Sequence, residues 1–328
     1  MKKKKVILSF DYELFFGDRS GTVLKTIIEP TYIIMKLLEQ NEFRGNFFVD
    51  YLMLRELEKL SDERALSDLK LLKEQIKDMV SRGHRIELHL HPHWIDAKYS
   101  GDGIWDFTNY THYSLSSLDE ETIVSLFKEG TEYLTLLAKE VEPDYKIVAF
   151  RAGGWAVQPF ANLKRGFIES GIQIDSSVSS GLYGKNQYSY FDFYDAPIDE
   201  YWHFEDDVCT KCNSGRFIEV PISSFNRNLI YRIVDYIYRK FSNKLKPITD
   251  GTHKRNDLIN EIPPRKIKSL MTISRLSTFS VILAAITFKK SLVTYIDHPK
   301  DFSPSFIRSI FMLSFLYNSI CYKDLIDR

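Results

Sequence analysis

Two carboxylates, Asp11 and Glu13, stand two residues apart where the apolar run VILSF ends. In an extended chain that spacing puts both on one side, with Tyr12 on the other. A buried pair of acids is costly unless a cation lies near it; a solvated strand end is the alternative. A second run, GHRIELHLHPHW, covers residues 83–94. Ile86, Leu88 and Leu90 fall on one face, and Glu87, His89 and His91 on the other. Pro92 should end the strand, letting the chain turn and bring His93 back toward His89. Three imidazoles in five positions argue for a ligand site, with the pair either His89/His93 or His89/His91. Further on, Arg151 opens RAGGW, Asp175 lies in IDSSV, and His298 follows LVTYID. One carboxylate and two imidazoles can hold a divalent metal with a position open to water. A second carboxylate and a distant histidine can then serve as base and acid, the equipment of metal-assisted hydrolysis.

Such residues must be positioned by the elements between them. Strand patterns at Lys5–Phe10, Gly45–Val49, Arg85–His89, Tyr145–Phe150 and Ile172–Asp175 alternate with helical patterns. The helices are expected at Glu29–Asn41, Leu66–Arg82, Glu120–Ala138 and Pro159–Ser170. This alternation, with polar residues at the carboxyl ends of strands, predicts an α/β fold whose parallel sheet is closed or nearly closed into a barrel. Residues 1–225 are assigned to that barrel and 226–290 to a basic, mostly helical insertion. Residues 291–328 supply the last barrel strand, Ser291–Ile296, and a terminal helix over Ser303–Tyr322.

Composition agrees with a globular protein: 44% hydrophobic and 27% charged over 328 residues. The formal net charge is zero, but residues 226–290 hold fourteen Lys/Arg against four Asp/Glu. Three cysteines make no disulfide framework; Cys209 and Cys212 have metal-ligand spacing without a second ligand pair, so free thiols are expected. MKKKK precedes no signal-type apolar region, and no stretch is long enough to cross a bilayer. A cytoplasmic location is expected.

The motifs resemble those of the polysaccharide deacetylases, the NodB-homology group or carbohydrate esterase family four. GHRIELHLHPHW is similar to that family's GHEIGNHTxxHP-type motif, SFDYE to its TFDD, GNFFV to its TFFV strand, and FRAGGW to its Arg-x-Pro-Tyr. Asp175 and His298 resemble its fourth and fifth motifs. The resemblance covers roughly residues 5–180 and 291–300. It implies a deformed (β/α) barrel with Asp11 as general base and Glu13, His89 and His93 as metal ligands. Arg151 would hold Asp11 ionised through a bidentate pair. Asp175 would hydrogen-bond His298, the general acid. Trp94 and Trp155 would form cleft walls, Gly153 and Gly154 would admit the substrate backbone-close, and His91 would face substrate. Ser176, Ser177 and Ser223 would be structural. Three features depart from the family: Asp-x-Glu replaces Asp-Asp, RAGGW replaces Arg-x-Pro-Tyr, and residues 226–290 are extra.

The implied activity is metal-dependent N-deacetylation of an acetamido sugar in a polysaccharide or its precursor, such as an O-antigen or capsule intermediate. The sugar would be lipid- or nucleotide-linked. Zinc is the first choice of metal, although cobalt, nickel and iron suit the same ligands. The alternatives are hydrolysis of another amide or ester, such as an N-formyl or O-acetyl sugar, and a non-catalytic glycan- or membrane-binding barrel. Within the basic insertion, Leu229, Ile230, Ile233, Val234 and Ile237 recur at helical spacing beside Arg232, Arg239, Lys240 and Lys244. One reading is a helix lying peripherally on an anionic membrane. The reading preferred from sequence is a helical subdomain packed on the barrel with a solvated basic rim. No nucleic-acid motif accompanies the charge.

Overall fold

The computed structural model describes residues 3–253 and 260–326. Its centre is a curled, mostly parallel sheet. Strands β1 (Lys4–Tyr12), β2 (Gly45–Asp50), β3 (Arg85–Leu90), β4 (Ala149–Ala152) and β5 (Ile174–Asp175) pair in sequence order, all parallel. Beyond β5 come β6 (Trp202–Phe204) and β7 (Phe217–Glu219), with β7 parallel to β5 and β6 antiparallel at the edge. On the other side β8 (Leu292–Asp297) runs parallel to β1. Ser223, in the segment that follows β7, donates its N–H to the Thr294 carbonyl of β8 at 2.9 Å.

Helices α1 (Glu29–Gln40), α2 (Tyr51–Glu58), α3 (Glu63–Ser81), α4 (Glu120–Lys139) and α5 (Ala161–Ser170) cover the outer face. Local chemistry sets their ends: Asp62 and Asp119 accept from Ala65 N–H and Thr122 N–H at the amino termini of α3 and α4. Gly171, at φ 75°, stops α5 in a left-handed conformation that side chains disfavour. Because helices cover the sheet, its strands are buried on both faces, as parallel sheets require.

Three sequence expectations shift. Residues 145–148 are not strand; β4 starts at Ala149. The insertion contains α6 (Leu229–Phe241) and α7 (Thr278–Thr287), and among the described residues no α-helix lies between them. Instead residues 269–271 return along the seam beside β8, with Ile296 N–H bonded to the Met271 carbonyl. The terminal helix is shorter than its apolar pattern suggests: α8 spans Ser305–Ser314, and β9 (Tyr317–Ser319) pairs with Lys4–Val6. β2 joins β1 only from Leu8 onward, so the open edge before it needs backbone partners, which β9 supplies. No helix among the described residues is long and apolar enough to cross a membrane.

Candidate metal centre and acid–base site

On β1 the residues alternate as the spacing requires. Phe10 and Tyr12 face the helices, where the Tyr12 hydroxyl donates to Gln75 Oε1 at 2.8 Å. Ser9 and Asp11 face the barrel axis, and Glu13 continues that side just past the strand. Parallel register then sets Asp50 and Arg151 on either side of His89. All of these side chains are buried at the carboxyl ends of their strands.

Glu13 is the hub. Its Oε2 lies 3.2 Å from His89 Nε2 and 3.1 Å from His91 Nε2. Its Oε1 accepts from Lys300 Nζ at 2.8 Å. Burial opposes ionisation, but Lys300 and the two imidazoles outweigh it and hold the carboxyl well below its ordinary range. His89 Nδ1 lies 2.7 Å from the Arg151 carbonyl. Only nitrogen can donate there, so Nδ1 carries the proton and Nε2 is directed at Glu13. Burial also works against a charged His89, yet the Glu13 hydrogen bond and the carboxylates of Asp11 and Asp50 raise it to about 9.

His91, rather than His93, completes this set. Glu13, His89 and His91 offer ligand atoms all within 4.8 Å of one another. His93 does not turn back toward His89: Pro92 starts a short 3-10 turn that carries it behind His91. There its Nδ1 is 3.1 Å from His91 Nδ1, and its ring packs against Phe16 and Phe107. Its Nε2 is a buried nitrogen without a hydrogen-bond partner among the described residues. His93 is thus placed to orient His91. Burial keeps its imidazole well below its ordinary pKa.

Asp11 lies beside this cluster. Arg151 Nη1 donates to Asp11 Oδ1 at 2.5 Å, a single bond rather than the bidentate pair expected. The remaining guanidinium donors go to Ser176 O, Ser9 Oγ, Ser176 Oγ and Tyr322 OH, so only one faces Asp11. Asp11 Oδ2 is 3.5 Å from His298 Nε2, which is also 3.6 Å from Glu13 Oε1. Burial, the largest influence, pushes the His298 imidazole down to about 4.

Asp175 does not reach His298. It accepts from Ser177 N–H and Oγ–H at 3.0 and 2.8 Å and is hydrogen-bonded to Glu219. Burial is the main reason both carboxyls are raised. The acid nearest the outer ring nitrogen of His298 is Asp301, 3.6 Å from Nδ1. His253 and Arg275 in turn hold Asp301, at 2.6 Å and 2.8 Å. Ser176 and Ser177 are engaged in hydrogen bonds, and Ser223 donates to β8.

Trp94 is not a cleft wall. It is fully buried, its indole N–H donating to Asp50 Oδ2 at 2.6 Å. Burial chiefly raises that Asp50 carboxyl to about 7. Trp155 does line the cavity, with Gly154, His91, Tyr113 and Phe16. The glycines serve packing: a Cβ on Gly153 would lie 2.5 Å from the His91 ring, and one on Gly154 2.7 Å from Tyr113. The cavity measures about 300 Å³ and also exposes Asp11, Glu13, His298 and Lys300. Leu270, Thr272, Arg275 and His253 bring the inserted segment to its rim.

Lys300, Asp301 and Asp50 were missed in the sequence. Lys300 and Asp301 follow His298 within three residues, and Asp50 ends a strand as Asp11 does, so position alone could have flagged them.

The donor set suits a divalent cation: two imidazoles with their outer nitrogens engaged, one ionised carboxylate, and a cavity beside them. Asp11, Glu13 and His298 form a second group of similar compactness. The first is the better ligand set, because Asp11 is committed to Arg151. Neither group includes Cys209 or Cys212, which are free thiols.

Fold and site together define a curled (β/α) barrel with a buried histidine–carboxylate centre at the carboxyl ends of its strands. No family model and no curated protein matches the sequence. Among solved structures, a protein from Parabacteroides distasonis provisionally described as a glycoside hydrolase/deacetylase aligns with TM-score 0.52 and 11% identity, over 95% of this chain and 65% of that one. One from Mycobacterium smegmatis, provisionally described as a polysaccharide deacetylase, aligns with TM-score 0.46 and 14% identity, over 99% and 90%. The 4-alpha-glucanotransferase of Thermococcus litoralis aligns with TM-score 0.49 and 13% identity, over 100% of this chain and 41% of that one. At 11% identity the Parabacteroides distasonis alignment shows the fold alone, so chemistry has to be argued from the site.

Proposed function

We propose that the protein is a metal-dependent hydrolase that removes an N-acetyl group from an acetamido sugar of a polysaccharide or its precursor. The observation that carries this reading is the convergence of Glu13, His89 and His91 on one point beside the Asp11–His298 pair, with Asp11, Glu13, His91 and His298 lining one cavity. A cation held by Glu13, His89 and His91, with zinc the first choice, would polarise the acetyl carbonyl and acidify water. Asp11, paired with Arg151, takes the proton of the attacking water. His298, 3.5 Å from Asp11, is the group able to pass that proton to the departing nitrogen. The carbonyl carbon gains the water oxygen, the C–N bond breaks, and acetate and a free amine result. Trp155, Tyr113 and Phe16 offer apolar faces of the kind sugar rings stack on. An O-antigen or capsule precursor on a lipid or nucleotide carrier fits the reading as its substrate, acted on at the cytoplasmic side.

The test is acetate release from acetamido sugars and their lipid- and nucleotide-linked forms, with metal content measured on the same samples. Asp11→Asn is expected to retain metal and lose turnover. Full activity in that variant, or release of formate instead of acetate, would rule the reading out.

A further inference from the structure

The basic insertion carries a surface that the candidate chemistry does not use. Helix α6 is arranged in reverse of an ordinary surface helix, which buries its apolar stripe. Its buried face holds Tyr231 against Phe225 and a polar anchor: Asp235 accepts from the Ser277 and Ser280 hydroxyls at 2.6 and 2.8 Å and from Arg227 at 2.6 Å. Its outward stripe is apolar. Leu229, Ile233, Ile237 and Phe241 follow one another at steps of four and so form one line along the helix. They are 70%, 48%, 49% and 77% exposed. Arg232 and Arg239 border that line, and Lys240 lies between the rings of Tyr236 and Phe241.

The apolar surface continues beyond α6. A groove of about 420 Å³ runs between α6, α7 and α8, lined by Tyr238, Phe279, Ile286 and Met312, with Arg308 at its side. Ile286 also borders a second recess, of about 430 Å³, with Phe315, Lys3 and Lys4. Exposed Ile, Leu and Phe are thus interleaved with Lys and Arg, in a segment holding fourteen basic and four acidic residues. Protein interfaces are depleted in lysine. Anionic headgroups above acyl chains match both the charge and the apolar stripe.

We propose that the α6–α7–α8 face docks on an anionic bilayer surface, with the stripe from Leu229 to Phe241 seated at the boundary of headgroups and acyl chains. This goes beyond the proposed reaction and does not depend on it. It does bear on access, because Arg239 donates to the carbonyl of Arg275, a residue of the cavity rim, at 2.7 Å.

The experiment is flotation of the full chain with vesicles of phosphatidylcholine alone and of phosphatidylcholine mixed with phosphatidylglycerol, at ~0.15 M salt. Binding to the anionic vesicles should exceed binding to the neutral ones by about tenfold or more. The double variant Ile233→Glu/Ile237→Glu should lose that binding by a similar factor, with melting temperature and helical circular dichroism unchanged. Leu229→Ser/Phe241→Ser gives an independent reading should the first variant fold poorly. Equal partition into both vesicle types, or anionic binding that either folded double variant leaves intact, overturns the proposal. So does a wild-type dimer in sedimentation velocity that the same variants dissociate while vesicles stay unbound, since a second copy would then cover the face.

Discussion

Replacing Arg151 with methionine isolates its buried ion pair with Asp11 inside the barrel. Arg151 is fully buried, stacks on the Phe48 ring and spends one donor on Asp11. Apart from the Ser176 carbonyl, which accepts from Arg151 Nε at 2.8 Å, the other polar groups it contacts keep partners without it. Ser9 Oγ donates to the Tyr295 carbonyl, Ser176 Oγ to the Val220 carbonyl, and Tyr322 OH is 2.8 Å from Ser176 Oγ. The loss falls chiefly on Asp11, left buried without its cation, a change that costs about 3–5 kcal/mol. For 328 residues the unfolding entropy is about 0.7 kcal/mol/K, so the melting temperature should drop by about 4–7 °C. Asp11→Asn alone should also destabilise, by stranding the guanidinium. The double variant should cost at least about 1.5 kcal/mol less than the sum, because neither charge is then left alone. Differential scanning calorimetry on all four proteins measures the cycle. Effects that add within about 0.5 kcal/mol would refute the energetic pairing of Arg151 with Asp11.

Three further outcomes follow from the geometry. Zinc titration of metal-free protein against a competing chelator should show tight binding lost in His91→Ala. His93→Phe keeps three donors and should weaken binding by only about 10–100-fold; the opposite ranking would remove His91 from the ligand set. Gly153→Ala sets a methyl 2.5 Å from the His91 ring and should weaken metal binding more than it lowers the melting temperature; unchanged affinity would show that the ring can shift freely. Burial drives the His84 imidazole down to about 4, while its Nδ1 accepts the Gly45 N–H at 3.0 Å. The folded form prefers the neutral ring, so its contribution is complete above pH 6.5 and is lost as pH falls toward 4, by roughly 3 kcal/mol. His84→Gln should flatten the melting-temperature profile between those values, and parallel profiles would contradict this.

Much of the barrel was legible because its signals are local. Strand–helix alternation depends on neighbouring residues alone, and so does the shared face of Asp11 and Glu13. Types and spacing were enough to mark His89 and Glu13 as ligand candidates. What they left open depends on contacts across the chain. Whether His91 or His93 faces Glu13 is decided by the turn after Pro92 and by the aromatic pocket that receives the His93 ring. Asp301 rather than Asp175 stands beside His298 because Glu219 on the neighbouring strand and Ser177, two residues on, engage Asp175. Trp94 is drawn inward by Asp50, forty-four positions earlier. The same holds at the surface: α6 has one clear apolar stripe in sequence, but only the packed structure shows that Asp235 anchors the helix and that the stripe faces outward. Periodicity specifies that a helix has two faces; the partners available in three dimensions select which one is buried.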